Sequence, residues 1–311
     1  MQEHKDMTMP VGRDWRQYTN GNVHVMINVN DGTKIRMTEG DEFHVVFPES
    51  IDLKITNHCR IGCKMCHEGS TEKGDHANLE ASFFDTLRPY TEIAIGGGSL
   101  TTHPQIEELL RFFKGKGILA NITLHEKELL TNYDRIQEWI DKEMIRGIGV
   151  SVHSPACGKV REFATRNTNT VLHVIAGLTP LETILSYGNA NMKLLILGYK
   201  NLGRGAEYYH ENKEAVEESI LEMENNLDQI FNKFKVVSFD NLALGQLNIK
   251  EHVQDDMWNL FYQGSDATHT MYIDLVKREF AATSTSSDRY KLMDTIDAMF
   301  AKIKGTMNDT I

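Results

Sequence analysis

The chain has 311 residues, 41% of them hydrophobic and 25% charged, enough to bury a sizeable core in one large α/β domain or two small ones. Its formal net charge of −11 argues against duplex nucleic acid or an anionic membrane surface as a partner. With only four cysteines, no charged-then-apolar leader and no apolar run of membrane-spanning length, a reducing cytoplasm without membrane attachment is expected.

Residues 23–29 and 34–38 alternate apolar and polar side chains across Asn30-Asp31-Gly32, a hairpin signal, so residues 1–50 read as a small β appendage. From residue 51 short apolar strands are expected at 51–55, 92–95, 118–124, 147–152, 170–176 and 192–197. Helical periodicity fills the gaps at 79–87, 104–114, 127–144, 160–164 and 180–187, with Pro104 and Pro180 at first-turn positions. Six such strand–helix units over 51–204 predict a parallel sheet with right-handed crossovers. Beyond 204 a long charged helix is expected at 206–234 and a seventh strand at 236–239. A helix at 253–262, an antiparallel pair at 271–275 and 279–283, and a terminal helix at 288–304 follow. Residues 205–311 thus read as an α+β extension that completes or caps the core.

Just past the first of these strands stand Cys59, Cys63 and Cys66, spaced CxxxCxxC. That spacing is too tight for a disulfide framework, and three thiolates leave one position of a metal centre free. Its place beyond the carboxyl end of a strand is where parallel α/β folds put their active sites. Two chemistries fit: a closed Cys₃His zinc shell completed by His58 or His67, and an iron–sulfur cluster with one open iron. The fourth cysteine, Cys157, stands alone after Ser154-Pro155 near an expected helix start, as a redox partner or an inert thiol.

Together with the apolar Met65 before the last cysteine, this spacing resembles the CxxxCxΦC signature of the radical S-adenosylmethionine (SAM) superfamily. The stretch Gly96-Gly97-Gly98-Ser99-Leu100-Thr101-Thr102-His103-Pro104 resembles that family's GGGEPTLHP turn, with Ser99 and Leu100 where Glu and Pro are usual. The resemblance implies a partial (β/α)₆ barrel, a [4Fe–4S] cluster on the three thiolates and SAM on the cluster's free iron. SAM would be cleaved reductively to a 5′-deoxyadenosyl radical that abstracts hydrogen from a substrate. An oxygen-sensitive enzyme fed by a low-potential donor such as flavodoxin or ferredoxin is then expected.

By the same resemblance Gly96, Gly97 and Gly98 bring backbone to the SAM amino group, and Ser99 or Thr101 offers a hydroxyl in place of the missing carboxylate. Ser151 is matched to a ribose contact, with His153 on the same strand face, and Asn121, on one face of the third strand with Thr123 and His125, is a further candidate to touch the cofactor. Ile175 and Tyr199 match the adenine-packing positions. Asp240 and Asn241, with Lys200 and Asn201 beside them, are candidates to touch substrate, or else form a capped turn. The lack of a second cysteine cluster sets aside the relatives that modify peptides with extra iron–sulfur centres. A small metabolite or nucleotide-like substrate is expected, because a chain of this length closes a pocket more easily than it builds a macromolecular groove. The alternatives are an activase that installs a glycyl radical in a protein partner, and a non-catalytic zinc-binding protein.

Overall fold

The computed structural model describes residues 12–40 and 42–308, with side chains through 305; the first eleven residues of the expected appendage and the last three of the extension lie outside them. The amino-terminal part is a three-stranded antiparallel sheet, β1 (Trp15–Asn20), β2 (Val23–Asn28) and β3 (Lys34–Met37), in the order β1-β2-β3. The expected hairpin is its second half. The strand β1 was not expected, since it carries only scattered polar and aromatic residues.

Seven parallel strands follow in chain order: β4 (Ser50–Thr56), β5 (Glu92–Gly97), β6 (Leu119–His125), β7 (Gly147–Ser151), β8 (Thr170–Ile175), β9 (Lys193–Leu197) and β10 (Val236–Phe239). On the other side of β4, β11 (Thr270–Asp274) adds in parallel, and β12 (Glu279–Ala281) and β13 (Tyr290–Lys291) complete the sheet antiparallel. Ser50, Asp52, Thr270 and Met271 from one end of this sheet line the same cavity of about 530 Å³ as Phe239, Asp240 and Leu242 at the other. The two ends therefore curl round to face each other across a seam, and the barrel is open there.

Helices α1 (Ile106–Lys116), α2 (Glu126–Thr131), α3 (Tyr133–Asp141), α4 (Gly158–Arg166) and α5 (Leu181–Tyr187) connect these strands. The first ends because Gly117 takes φ 71°, letting its N–H reach the Phe113 and Lys114 carbonyls. The extension adds α6 (Arg204–Asn225), α7 (Leu227–Lys233), α8 (Asn241–Gln246), α9 (Ile249–His252), α10 (Asp255–Phe261) and α11 (Ile296–Asn308).

Four expected helices differ. The long charged helix at 206–234 breaks at Asn226 (φ −119°) into α6 and α7. Residues 79–87 hold only a 3-10 turn, Ser82–Thr86. The single helix at 127–144 breaks at Asn132 (φ −118°) into α2 and α3. The terminal helix starts at Ile296, because Tyr290–Lys291 pairs with β12 instead.

Side-chain alternation sorts the strands into two faces. Ile51, Leu53 and Ile55, Ile93 and Ile95, Ile122 and Leu124, and Leu172 and Val174 are buried in one core with the helices. The intervening residues Asn121, Thr123, His125, Ser151, His173 and Leu195 are only half-buried, and they form the inner wall of the open barrel.

Candidate active site

The cysteine loop leaves the sheet at the end of β4 and is clamped on three sides. Toward the loop's own return, the Cys59 N–H donates to Thr71 O at 2.8 Å. At the start of α6, Arg204 donates through Nε and Nη2 to Cys63 O, both at 3.1 Å, and its N–H to Cys66 O at 3.1 Å. Gly203 (φ 54°) fits there because a side chain would overlap the His67 carbonyl. From β5, the Gly98 N–H donates to Thr56 O (2.8 Å) and the Ser99 N–H to His58 O (2.7 Å), while Ser99 Oγ lies 3.5 Å from Cys59 Sγ. Beyond Cys66, Glu68 accepts from Lys54 Nζ at 2.5 Å; that ammonium, buried on β4, also lies 3.1 Å from Asp274 on β11, and Tyr272 Oη donates to Glu68 at 3.3 Å.

All three thiols are free and half-buried. Burial pushes the Cys63 thiol up, and the neighbouring Cys66 and Cys59 sulfurs push it further. Three thiolates gathered this way are stabilised together by a shared cationic centre, so the donor set fits an iron–sulfur cluster. His58 Nδ1 sits 3.0 Å from Thr102 Oγ1 and His67 Nε2 3.3 Å from Glu68, so neither histidine turns to the thiols as a fourth zinc ligand. Among the described residues no three His, Cys, Asp or Glu side chains converge on a point where a single ion would sit.

The glycine turn divides its work. A side chain at Gly97 (φ 117°) would overlap Thr56 O, and one at Gly98 would overlap His58 O, so these two glycines let β5 pack against the root of the cysteine loop. Gly96 alone faces open space. Of the two hydroxyls after the turn, Ser99 points at Cys59. Thr101 is spent: its N–H and Oγ1 both donate to Glu128 Oε1, at 2.9 and 2.7 Å. Met65 is half-buried in the loop.

On the inner wall, β-ladder register sets Ser151 opposite His125 and His173, and Asn121 opposite Gly147. The rings of His125 and His153 stack at 5.0 Å, and burial holds His125 down to about 4. Burial also lowers His153, and holds His173 down to about 4, so the wall presents neutral imidazoles at neutral pH. Ile175 shares this half-buried face.

Tyr199 does not present its hydroxyl to the barrel; it is buried and donates to Gly205 O at 2.7 Å, bracing the start of α6. Asp240 is the capped turn that the sequence left open: its Oδ1 accepts from the Ala243 N–H (2.8 Å) and the Gly198 N–H (2.9 Å). Asn241 is exposed on the rim, donating to Asp266 Oδ1 at 2.7 Å. Lys200 lines the seam cavity and donates to Ser284 Oγ at 3.0 Å, while Asn201 is exposed. Cys157 precedes α4 far along the chain from the loop, its N–H donating to Tyr187 Oη at 3.2 Å.

Sequence reading passed over Arg204, Lys54, Glu68 and Asp52. The last has a signal: an acid inside the apolar run Ile51-Asp52-Leu53, at an alternation position that faces the barrel interior.

No protein-family model matches the sequence, and no curated protein matches it. Solved structures do. SuiB from Streptococcus suis bound to S-adenosylmethionine matches with a TM-score of 0.58 at 11% identity, over 96% of this chain and 90% of that one. SuiB bound to the precursor peptide SuiA matches with a TM-score of 0.59 at 11% identity, over 93% and 88%. The second complex corrects the expectation of a small-molecule or nucleotide-like substrate, since a chain of this fold seats a peptide. The length argument failed because the barrel is open at its seam and does not have to enclose what it binds. The chain has the open-barrel fold of SuiB, the architecture that its cysteine and glycine motifs imply.

Proposed function

We propose that this protein is a radical SAM enzyme that acts on a peptide. The observation that carries the reading is the clamped loop of three half-buried thiols beside the glycine turn, at the carboxyl end of the first parallel strand of a SuiB-like barrel. Cys59, Cys63 and Cys66 hold a [4Fe–4S] cluster, which when bound supplies the electron that cleaves SAM and starts hydrogen abstraction.

The chain's own residues do the rest. Arg204 fixes the Cys63 and Cys66 carbonyls, and Ser99 sets a hydroxyl against the Cys59 sulfur. Such hydrogen bonds to ligand sulfurs tune a cluster's potential. Gly96 leaves backbone open toward the cofactor, and Asn121, Ser151, His153 and Ile175 form the wall beside it. Thr101 and Tyr199, whose hydroxyls donate to Glu128 and Gly205, and Asp240, whose Oδ1 accepts two N–H groups, hold neighbouring segments in place.

An activase acting on a protein partner shares the polypeptide substrate that SuiB's complex with SuiA favours. The two readings separate by product: a covalent change left on a peptide, or a backbone glycyl radical visible by electron paramagnetic resonance. Iron and sulfide per chain, measured after anaerobic reconstitution of each Cys→Ala variant, test the ligand set. Loss in Cys59→Ala, Cys63→Ala and Cys66→Ala with full loading in Cys157→Ala is expected. A fully loaded Cys63→Ala protein, or a wild type that takes up only zinc, would sink the reading.

A further inference from the structure

The seam cavity contains a vacancy of charge. Four carboxylates line it: Asp52, Glu92, Asp240 and Asp266. Three are engaged. Glu92 lies 2.6 Å from Lys34 Nζ, Asp240 caps α8 and holds the Gly198 N–H, and Asp266 accepts from Asn241. Asp52, at the middle of β4 and pointing inward, makes no hydrogen bond or ion pair with any described residue. Three cationic side chains share the cavity: Lys34 and Arg36 are paired with Glu49 and Glu92, and Lys200 is turned to Ser284 Oγ.

Asp52 lies deep in the molecule but is exposed to the cavity of about 530 Å³, so a cation that enters the cavity meets a carboxylate with no protein partner to displace. Its depth in the molecule pushes the Asp52 carboxyl above its ordinary range, Lys200 opposing and Asp240 reinforcing the rise, although the side chain is open to the cavity; an added positive charge would favour the ionised form.

We propose that Asp52 is the specificity residue of the seam cavity and receives an ammonium or guanidinium side chain of the peptide substrate. This rests on the peptide reading above. It places the cation-binding group on the strand that leads into the cysteine loop, seven residues before Cys59 (59 − 52 = 7), so that a basic residue anchored there would bring neighbouring peptide atoms toward the reacting centre.

The test uses reconstituted protein and three probes: N-acetyl-lysine methylamide, N-acetyl-arginine methylamide and the neutral N-acetyl-norleucine methylamide, titrated calorimetrically. The cationic probes should bind at least about tenfold more tightly than norleucine, about 1.4 kcal/mol. That preference should vanish in Asp52→Asn and in Asp52→Ser, survive in Asp52→Glu, and survive in Asp266→Asn, with folding of each variant checked by circular dichroism. Equal binding of cationic and neutral probes to the wild type, absence of binding by all three, or a preference retained in both neutral Asp52 variants overturns the assignment. Probe binding needs no turnover, so its failure touches Asp52 alone. An intact preference in a protein that modifies no peptide would instead count against the peptide reading.

Discussion

Around the cysteines, single residues have separable duties that substitution can resolve. Gly96 has open space where a side chain would go, whereas Gly97 is fixed by positive φ and by the Thr56 carbonyl. A Gly96→Ala protein should therefore fold and load iron normally while binding SAM more weakly, by about tenfold if the methyl displaces one backbone contact. Gly97→Val should lose stability, by roughly 1–3 kcal/mol for a strained backbone, along with the cysteine loop's order. Equilibrium dialysis for SAM and denaturant midpoints for stability check the pair. Unchanged SAM affinity in Gly96→Ala would remove that glycine from the cofactor site.

The interior histidines add a pH dependence. His125, His173 and His269 are each held down to about 4 by burial, below the ordinary 6.5, so the fold favours their neutral forms. Their stabilisation is complete above about pH 6.5 and is lost as pH falls toward 4, at most roughly 3 kcal/mol for each group. Urea midpoints recorded from pH 7.5 to 4 should fall through that window. A flat profile would mean these rings are already solvated.

At the level of elements, α8 depends on one carboxylate. Asp240→Ala removes the acceptor of both the Ala243 and Gly198 N–H groups and should cost about 1–2 kcal/mol, as loss of a helix cap does. Reductive SAM cleavage per folded molecule should persist, because the contacts of Asp240 are to Gly198 and α8 and not to the cysteine loop or the glycine turn. Unchanged stability combined with lost peptide modification would instead give Asp240 a substrate role.

The parallel strands were readable because each is a short apolar run bounded by turn residues, and the seventh was placed at 236–239 where it stands. The cysteine and glycine motifs were readable because spacing is local. What pairs over distance was not. Both strands were legible, but that β11 lies beside β4, more than two hundred residues away, is set by tertiary packing that neither strand's own sequence records. The Lys54–Glu68–Asp274 cluster follows from that pairing and was equally hidden. Asp240 shows another limit: an acid after a strand reads alike as a cap or as a ligand, and here its Oδ1 caps α8 while the residue also lines the seam cavity.

For the whole molecule, the curled sheet places its two ends across a seam, and the extension strands β11 to β13 join the barrel at that point. The same strands reach back to the cysteine loop through Asp274 and Tyr272. One structural unit therefore both borders the seam and braces the cysteine loop. Among the described residues no helix is long and apolar enough to cross a membrane.

The central claim is that three thiols of one loop make this chain cleave SAM. The most direct measurement is 5′-deoxyadenosine formed from SAM by anaerobically reconstituted protein under dithionite, with wild type and Cys63→Ala compared at equal protein concentration. Wild type should form it over time, and Cys63→Ala should form none above the no-enzyme rate. Formation by Cys63→Ala at the wild-type rate, or none by a wild type carrying a full cluster, would contradict the claim.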